Sequence, residues 1–101
     1  MNIFSKLFNQ EPAVDCHELV QNGAALIDVR TPEEFNSGHI EGSTNVPLDR
    51  LPSELNHFKS INKPIVLVCR SGMRSGKATS ILKNNGIEQV HNGGSWTNFS
   101  N

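Results

Sequence analysis

The sequence predicts an α/β domain with a parallel sheet. Two apolar runs, at residues 25–29 and 65–68, are rich in branched side chains and are followed by a charged or nucleophilic residue, as is typical of strands buried on both faces. A turn and then residues at helical spacing follow each run. Strand and helix therefore alternate along the chain, which favours βα units. A length of 101 residues allows one such domain.

The first helix is predicted just before the first strand. Asp15 and Glu18 have the spacing of a helix amino-terminal cap, and Gly23 is placed to end the helix. Cys16 and His17 fall in its first turn. Adjacent Cys and His residues can indicate a metal site, but no second pair follows at ligand spacing. We therefore predict no metal site and assign neither residue a role.

Three elements are predicted between the first strand and the second apolar run. Residues 25–30 form a central strand that ends in charge, and Thr31 and Pro32 then occupy the cap and first position of a short helix. The acids that follow are stabilised by the helix dipole. The glycine-rich chain after this helix contains a short strand at 44–46. Apolar residues at helical spacing predict a further helix over 48–58.

The second apolar run leads into the segment with the strongest chemical pattern. Residues 65–68 are the predicted strand, Cys69 stands at its carboxyl end, and a helix is predicted from Gly76 to Asn84. Open parallel sheets bind their ligands at the carboxyl ends of the strands. This edge of the sheet is therefore the predicted site.

The end of the chain is predicted to cover the core. A short strand is expected at 87–91, followed by a turn at 92–94, where Asn and two glycines stand together. Trp96 and Phe99 lie beyond this turn and are interpreted as packing aromatics.

Cys69 is the candidate nucleophile because the residues after it can form a site for an anion. A tight loop before a helix start can turn its backbone N–H groups inward, and the helix dipole reinforces them. A thiol held by such groups and by nearby guanidiniums has a lowered pKa, so the thiolate predominates at neutral pH. The alternative is a buried core cysteine, but a core position does not require polar residues after it. The candidate binding residues of this loop are Arg70, Ser71, Gly72, Met73, Arg74 and Ser75.

Four other residues are predicted to support the site. His39 is a possible base for Cys69, but it lies in a predicted turn, so we interpret it as a structural histidine that holds its loop by a hydrogen bond. Asp28, Arg30 and Glu34 are predicted to form a local charge network that holds strand to helix.

Net charge and cysteine content indicate which partners and which cellular compartment to expect. The net charge is −1 with both signs scattered, so neither nucleic acid nor a membrane surface is expected as a partner. A disulfide between Cys16 and Cys69 would consume the reactive thiol, so a reducing compartment, the cytoplasm, is expected. Residues 1–12 lack the features of a signal peptide and are interpreted as a tail or short helix before a domain at 13–101.

Two separated motifs resemble the rhodanese family in its single-domain form. The residues that carry the resemblance are Asp28-Val29-Arg30, Glu34-Phe35, Gly38-His39-Ile40, Gly42-Ser43 and Asn45-Val46-Pro47, then residues 69–75, then Gly93-Gly94. They span most of the chain from Asp28 onward. In that family a Trp often lies a few residues further past the Gly-Gly than Trp96 does here, so Phe99 is a candidate for its packing role.

The resemblance implies a three-layer α/β domain of about five mostly parallel strands with helices on both faces. It also implies a sulfurtransferase, in which Cys69 takes a sulfane sulfur from a donor such as thiosulfate, becomes a persulfide, and passes the sulfur to cyanide or a thiol. The loop N–H groups would hold the outer sulfur, while Arg70 and Arg74 would attract the donor and stabilise the departing sulfite. We expect no cofactor, a small sulfur donor and a thiophilic acceptor, such as a thiol protein, as partners, and a monomer.

Two other functions use the same kind of cysteine and loop. Cysteine phosphatases also surround an oxyanion with N–H groups and a closing Arg, but they place one residue more between Cys and Arg than the four between Cys69 and Arg74. The smaller nest suits a single sulfur, and Val68 stands where phosphatases usually have a histidine. The second alternative is a module that only carries or reports persulfide for a partner protein. Continuous turnover distinguishes an enzyme from such a carrier.

Overall fold

The computed structural model describes residues 14–99. The expected tail or helix at residues 1–12 lies outside the described residues. The elements, in chain order, are α1 (Cys16–Gln21), β1 (Ala25–Asp28), α2 (Pro32–Asn36), β2 (Thr44–Asn45), a 3₁₀ helix (Leu51–Glu54), α3 (Leu55–Lys59), β3 (Ile65–Cys69), α4 (Met73–Asn84), β4 (Val90–Ser95) and a second 3₁₀ helix (Trp96–Phe99). Strand and helix alternate, so the predicted α/β class is confirmed.

The sheet has the order β2-β1-β3-β4, and every neighbouring pair is parallel. The chain therefore moves outward in both directions from the central strands β1 and β3, which is the doubly wound arrangement. The expectation of about five strands differs from this result, because residues 14–99 form four. β1 and β3 correspond to the two apolar runs and β2 to the short strand expected at 44–46, whereas β4 runs over Val90–Ser95 rather than the predicted 87–91. The fifth strand was implied only by the family resemblance.

Two cores lie on opposite faces of the sheet. The larger contains Ile27, Val29, Val46, Leu51, Phe58, Ile65, Leu67, Cys69, Ala78, Leu82 and Val90, and it joins the sheet to α3 and α4. The smaller contains Leu26, Ile40, Val66, Val68 and Phe99, with α1 packed against it. All five residues of β3 are buried. Because successive strand residues point to opposite faces, β3 contributes to both cores, and its last side chain, Cys69, points toward α4.

Two short helices begin as predicted. The side chain of Asp15 accepts the first-turn N–H of α1. Thr31 and Glu34 form a reciprocal capping box at α2, in which each side chain accepts the other's backbone N–H, and Pro32 occupies the first helical position. These local caps confirm both helix starts.

The prediction of one continuous helix over 48–58 was wrong. The segment is instead a 3₁₀ helix at Leu51–Glu54 followed by α3 at Leu55–Lys59. Pro52 lacks a backbone N–H and stands in the first turn, where the tighter 3₁₀ form accommodates it. The apolar spacing reflects burial of Leu51 and Phe58 against the sheet, which both helix types satisfy.

The predicted turn at 92–94 was also wrong, because these residues lie inside β4. Leu67 pairs with Asn92 and Val68 pairs with Gly94, so Gly93 is the extra residue of a β-bulge. A Cβ at Gly93 would stand 2.7 Å from Cγ1 of Val66. The glycine therefore permits close approach of β4 to β3 rather than a chain reversal.

Trp96 and Phe99 lie in the terminal 3₁₀ helix and cover the smaller core, as predicted. Phe99 is buried and Trp96 is half-buried. No helix within residues 14–99 is long and apolar enough to cross a membrane.

Candidate active site

The candidate site lies where β3 ends and α4 begins. Cys69 is the last residue of β3 and is fully buried. Only residues 70–72 separate it from α4, which starts at Met73 rather than at Gly76 as predicted. The loop predicted over residues 70–75 is thus a three-residue turn followed by the first turn of a helix. Gly72 makes the junction at φ 99°, a left-handed conformation that glycine adopts without steric cost.

The sulfur of Cys69 accepts hydrogen bonds from this turn. The N–H of Gly72 donates to Sγ at 3.0 Å, and the N–H of Ser75 donates to Sγ at 3.4 Å. The hydroxyl of Ser75 also lies 3.4 Å from Sγ. Because α4 starts here, the N–H groups of its first turn have no helical partners and are free to hold an anion. The sulfur therefore sits in a small nest of donors.

These contacts set the ionisation of the thiol. Burial raises the pKa of Cys69, but hydrogen bonds from the Ser75 hydroxyl and from the backbone N–H groups of Ser75, Gly72 and Ser71 outweigh burial, so the pKa lies below its usual value. The main stabilising contributions are these N–H and O–H dipoles. The charge of Cys69 is also one of the causes that raise the pKa of Arg74, so this guanidinium interacts with the thiolate as well.

Arg74 is held by Glu34 rather than directed at the sulfur. Two parallel bonds of 2.7 and 2.9 Å join its guanidinium to the Glu34 carboxylate. These bonds, together with smaller contributions from Thr31, lower the pKa of Glu34 to about 2, and they raise the pKa of Arg74. Arg74 lies in the first turn of α4 and Glu34 in α2, so the pair fastens the start of α4 to the neighbouring helix.

The remaining predicted loop residues are open to solvent. Arg70, Ser71 and Met73 are exposed, and Met73 has 81% of its surface accessible. Arg70 makes no hydrogen bond or ion pair with the rest of residues 14–99. This exposed guanidinium, which has no partner within residues 14–99, lies next to the nest and is available to an anionic substrate.

Asp28 and Arg30 form a buried ion pair at the carboxyl end of β1. Nη2 of Arg30 lies 2.7 Å from Asp28, and both side chains are at most 4% exposed. Arg30 also donates to the carbonyls of Glu34 and Gly38, and its guanidinium lies 4.4 Å from the ring centroid of Trp96. The predicted network of Asp28, Arg30 and Glu34 is therefore divided, because Arg30 contacts the backbone of Glu34 while the Glu34 carboxylate binds Arg74.

His39 contacts Phe35 and is not positioned to exchange a proton with Cys69. Its Nδ1 lies 2.8 Å from the carbonyl of Phe35, and its ring stacks on Phe35 with centroids 3.7 Å apart. The structure gives it no hydrogen bond to Cys69 within residues 14–99. These contacts fix the turn after α2, which is the kind of role predicted for it.

Asn92 contacts the site and was missed in the sequence. Its Oδ1 accepts from the Ser75 hydroxyl at 2.6 Å, and its Nδ2 donates to the carbonyl of Gly72 at 3.0 Å. An Asn before Gly-Gly resembles a turn former, so its position gave no indication of a site. The feature that could have placed Asn92 at the site is the order of the strands, because β4 is the parallel neighbour of β3, the strand that carries Cys69.

The second cysteine lies on the other side of β4, where its Sγ is 3.9 Å from the backbone carbonyl of Asn92. Cys16 packs on the smaller core, on the opposite face of the sheet from the side chain of Cys69. Burial, with a smaller effect of the Asp15 charge, raises the pKa of the Cys16 thiol. Both cysteines are free thiols. In the described part of the chain, no cluster of three or more His, Cys, Asp or Glu residues is placed to bind a metal ion.

The fold and the site together define an α/β domain with a buried cysteine whose sulfur is held by the N–H groups of a strand-to-helix turn. The Rhodanese-like domain model matches residues 12–101, and the chain belongs to this family. The resemblance noted in the sequence is thereby confirmed.

Relatives of this chain include both uncharacterised and named proteins. It is 44% identical to YqhL of Bacillus subtilis strain 168 across 68% of this chain and 54% of YqhL, so it spans about half of that relative. It is 30% identical to thiosulfate sulfurtransferase GlpE of Stutzerimonas stutzeri, across 83% of this chain and 76% of GlpE. The human single-domain sulfurtransferase TSTD1 superposes with a TM-score of 0.68 and 28% identity, covering 91% of this chain and 93% of TSTD1.

Proposed function

We propose that this protein is a rhodanese-type sulfurtransferase that moves a sulfane sulfur from a donor such as thiosulfate to cyanide or a thiol through a persulfide on Cys69. The observation that carries the proposal is the sulfur of Cys69 held by the N–H groups of Gly72 and Ser75 at the carboxyl edge of the sheet. The relatives named as thiosulfate sulfurtransferases support the same activity.

The first half-reaction is an attack by the Cys69 thiolate. Its electron pair forms a bond to the outer sulfur of thiosulfate, and the S–S bond of thiosulfate breaks with its electrons leaving on sulfite. The product is a Cys69 persulfide with a negative outer sulfur. The N–H donors that lower the thiol pKa favour the ionised nucleophile, and the exposed guanidinium of Arg70 attracts the doubly negative donor.

The second half-reaction returns the enzyme to its starting state. Cyanide or a thiolate attacks the outer sulfur, the S–S bond of the persulfide breaks, and the electrons return to Cys69. Thiolate is a good leaving group here because its pKa is lowered. Arg74, fixed by Glu34, contributes by holding the helix start in place.

Thiocyanate production from thiosulfate and cyanide tests the proposal. The parent protein should release thiocyanate continuously, and Cys69→Ser should release none because a hydroxyl cannot form the persulfide. Cys16→Ser is the matched control and should retain activity, since Cys16 lies on the other face of the sheet. Release of one equivalent followed by arrest would identify a persulfide carrier instead. Activity in Cys69→Ser would contradict the assignment.

The same protein can be tested against the phosphatase alternative. Gly72 and Ser75 donate directly to Sγ, which leaves a nest suited to one further atom rather than to a tetrahedral phosphate. We therefore expect no hydrolysis of an aryl phosphate under conditions in which thiocyanate is released. Hydrolysis that is lost in Cys69→Ser would favour the phosphatase.

A further inference from the structure

Asn92 connects the two parts of the nest from the neighbouring strand. Its Nδ2 donates to the carbonyl of Gly72, and its Oδ1 accepts from the hydroxyl of Ser75. Gly72 and Ser75 are also the residues whose N–H groups donate to the sulfur of Cys69. A third bond, from the N–H of Gly94 to Oδ1 at 2.9 Å, fixes the Asn92 side chain itself. The side-chain amide of Asn92 thus joins the turn at Gly72 to the start of α4 at Ser75.

The Ser75 hydroxyl has one proton and two acceptors. It lies 2.6 Å from Oδ1 of Asn92 and 3.4 Å from Sγ of Cys69. When Cys69 is a neutral thiol, its S–H can donate to the hydroxyl oxygen while the hydroxyl donates to Asn92. When Cys69 is a thiolate, the hydroxyl is needed as a donor to the sulfur. The short bond to Asn92 therefore holds the hydroxyl oxygen beside the sulfur, and the ionisation state of Cys69 decides which acceptor takes the Ser75 proton.

We propose that Asn92 is a positioning residue for sulfur transfer, which ties Gly72 to Ser75 and orients the Ser75 hydroxyl beside the sulfur of Cys69. This inference deepens the proposed function and rests on it. Asn92 acts through its two partners and does not itself contact the sulfur. The ion pairs Arg74–Glu34 and Arg30–Asp28 do not involve Asn92. The Cys16 thiol contacts the backbone carbonyl of Asn92 at 3.9 Å and not its side chain.

The isosteric change Asn92→Asp tests the proposal. The Asp side chain still accepts from Ser75, but it replaces the donor to Gly72 with an oxygen and adds a negative charge within about 6 Å of Sγ, the two Ser75 distances taken end to end. Both effects disfavour the thiolate. At that separation a unit charge shifts a pKa by roughly 0.5 to 2 units, depending on the local dielectric. We expect the pKa of Cys69 to rise by about one unit, which is about tenfold in thiolate.

The measurement is the pH dependence of Cys69 alkylation by iodoacetamide, followed by peptide mass spectrometry. Because alkylation requires no sulfur donor, its result is independent of whether the protein turns over thiosulfate. Asn62→Asp, which makes the same charge change at an exposed position, is the matched control and should leave the midpoint in place. An Asn92→Asp midpoint equal to that of the control would overturn the proposal.

A double-mutant cycle tests the link through Ser75 without a new charge. If Asn92 orients the Ser75 hydroxyl, the effects of Asn92→Ala and Ser75→Ala on the Cys69 midpoint should not add, with a difference of roughly half a unit or more. Additive effects would show that Asn92 does not act through Ser75 and would contradict the inference. The double-mutant cycle also tests the proposed role of Asn92 if Asn92→Asp fails to fold.

Discussion

The Ser75→Ala substitution removes one donor from the sulfur and leaves the others in place. Ser75 is buried in the first turn of α4, and its hydroxyl lies 3.4 Å from Sγ of Cys69. Alanine retains the backbone N–H that donates to Sγ, and it favours the helix. The N–H of Gly72 is unchanged at 3.0 Å. The substitution therefore removes only the hydroxyl, together with its 2.6 Å bond to Oδ1 of Asn92.

The expected magnitude follows from the two ionisation states. A hydrogen bond to a charged partner contributes about 1.5–3 kcal/mol, and one between neutral groups about 0.5–1.5 kcal/mol. Ser75→Ala removes a bond to the thiolate in one state and a bond to the thiol in the other, so the net preference lost is about 1 to 1.5 kcal/mol. This corresponds to a rise of about one unit in the pKa of Cys69.

Alkylation kinetics check this value. Well below the midpoint, Ser75→Ala should react with iodoacetamide about tenfold more slowly than the parent, whereas above both midpoints the rates should converge. Ser80→Ala, at an exposed position of the same helix, is the matched control and should follow the parent curve. An unchanged or lowered midpoint in Ser75→Ala would refute the view that the hydroxyl stabilises the thiolate.

Two further predictions concern the ion pairs around the site. Arg30→Met leaves the buried carboxylate of Asp28 without its partner and should lower the free energy of unfolding in urea by about 3–5 kcal/mol, and a cost of under 1 kcal/mol would contradict the buried pair. Glu34→Gln should cost about 1 kcal/mol at neutral pH. The hydrogen bond from Arg74 lowers the folded-state pKa of Glu34 from its ordinary value of 4.5 to about 2. The difference in free energy of unfolding between parent and variant is therefore fully present above pH 4.5 and should vanish as the pH falls through 2. A difference that persists at lower pH would exclude this linkage.

The strand before Cys69 and the presence of a helix after it could be predicted because their determinants are local, although the helix starts at Met73 rather than at Gly76. A short apolar run, Gly72 and the helical spacing after it lie within twenty residues of one another. The caps of α1 and α2 are local for the same reason, since each joins residues three positions apart. Patterns of this kind are complete in the sequence and need no knowledge of the tertiary fold.

The contacts that complete the site could not be predicted, because they join distant segments. Arg74 had two plausible partners, a substrate anion and a carboxylate, and only the fold places Glu34, forty residues away, beside it. Asn92 and Gly93 have the composition of a turn, but the close packing of Gly93 on Val66 keeps them in β4. The Pro52 segment likewise satisfies the apolar spacing of a helix with a 3₁₀ turn.

The mass of the intact protein after incubation with thiosulfate tests the central claim most directly. We expect an increase by one sulfur atom, located by peptide mass spectrometry on Cys69, and removal of that sulfur by cyanide. Cys16→Ser should gain the same mass, because the Cys16 thiol that it lacks lies on the opposite face of the sheet and has a pKa raised by burial. A sulfur found on Cys16, or no adduct on Cys69, would contradict sulfur transfer through the nest.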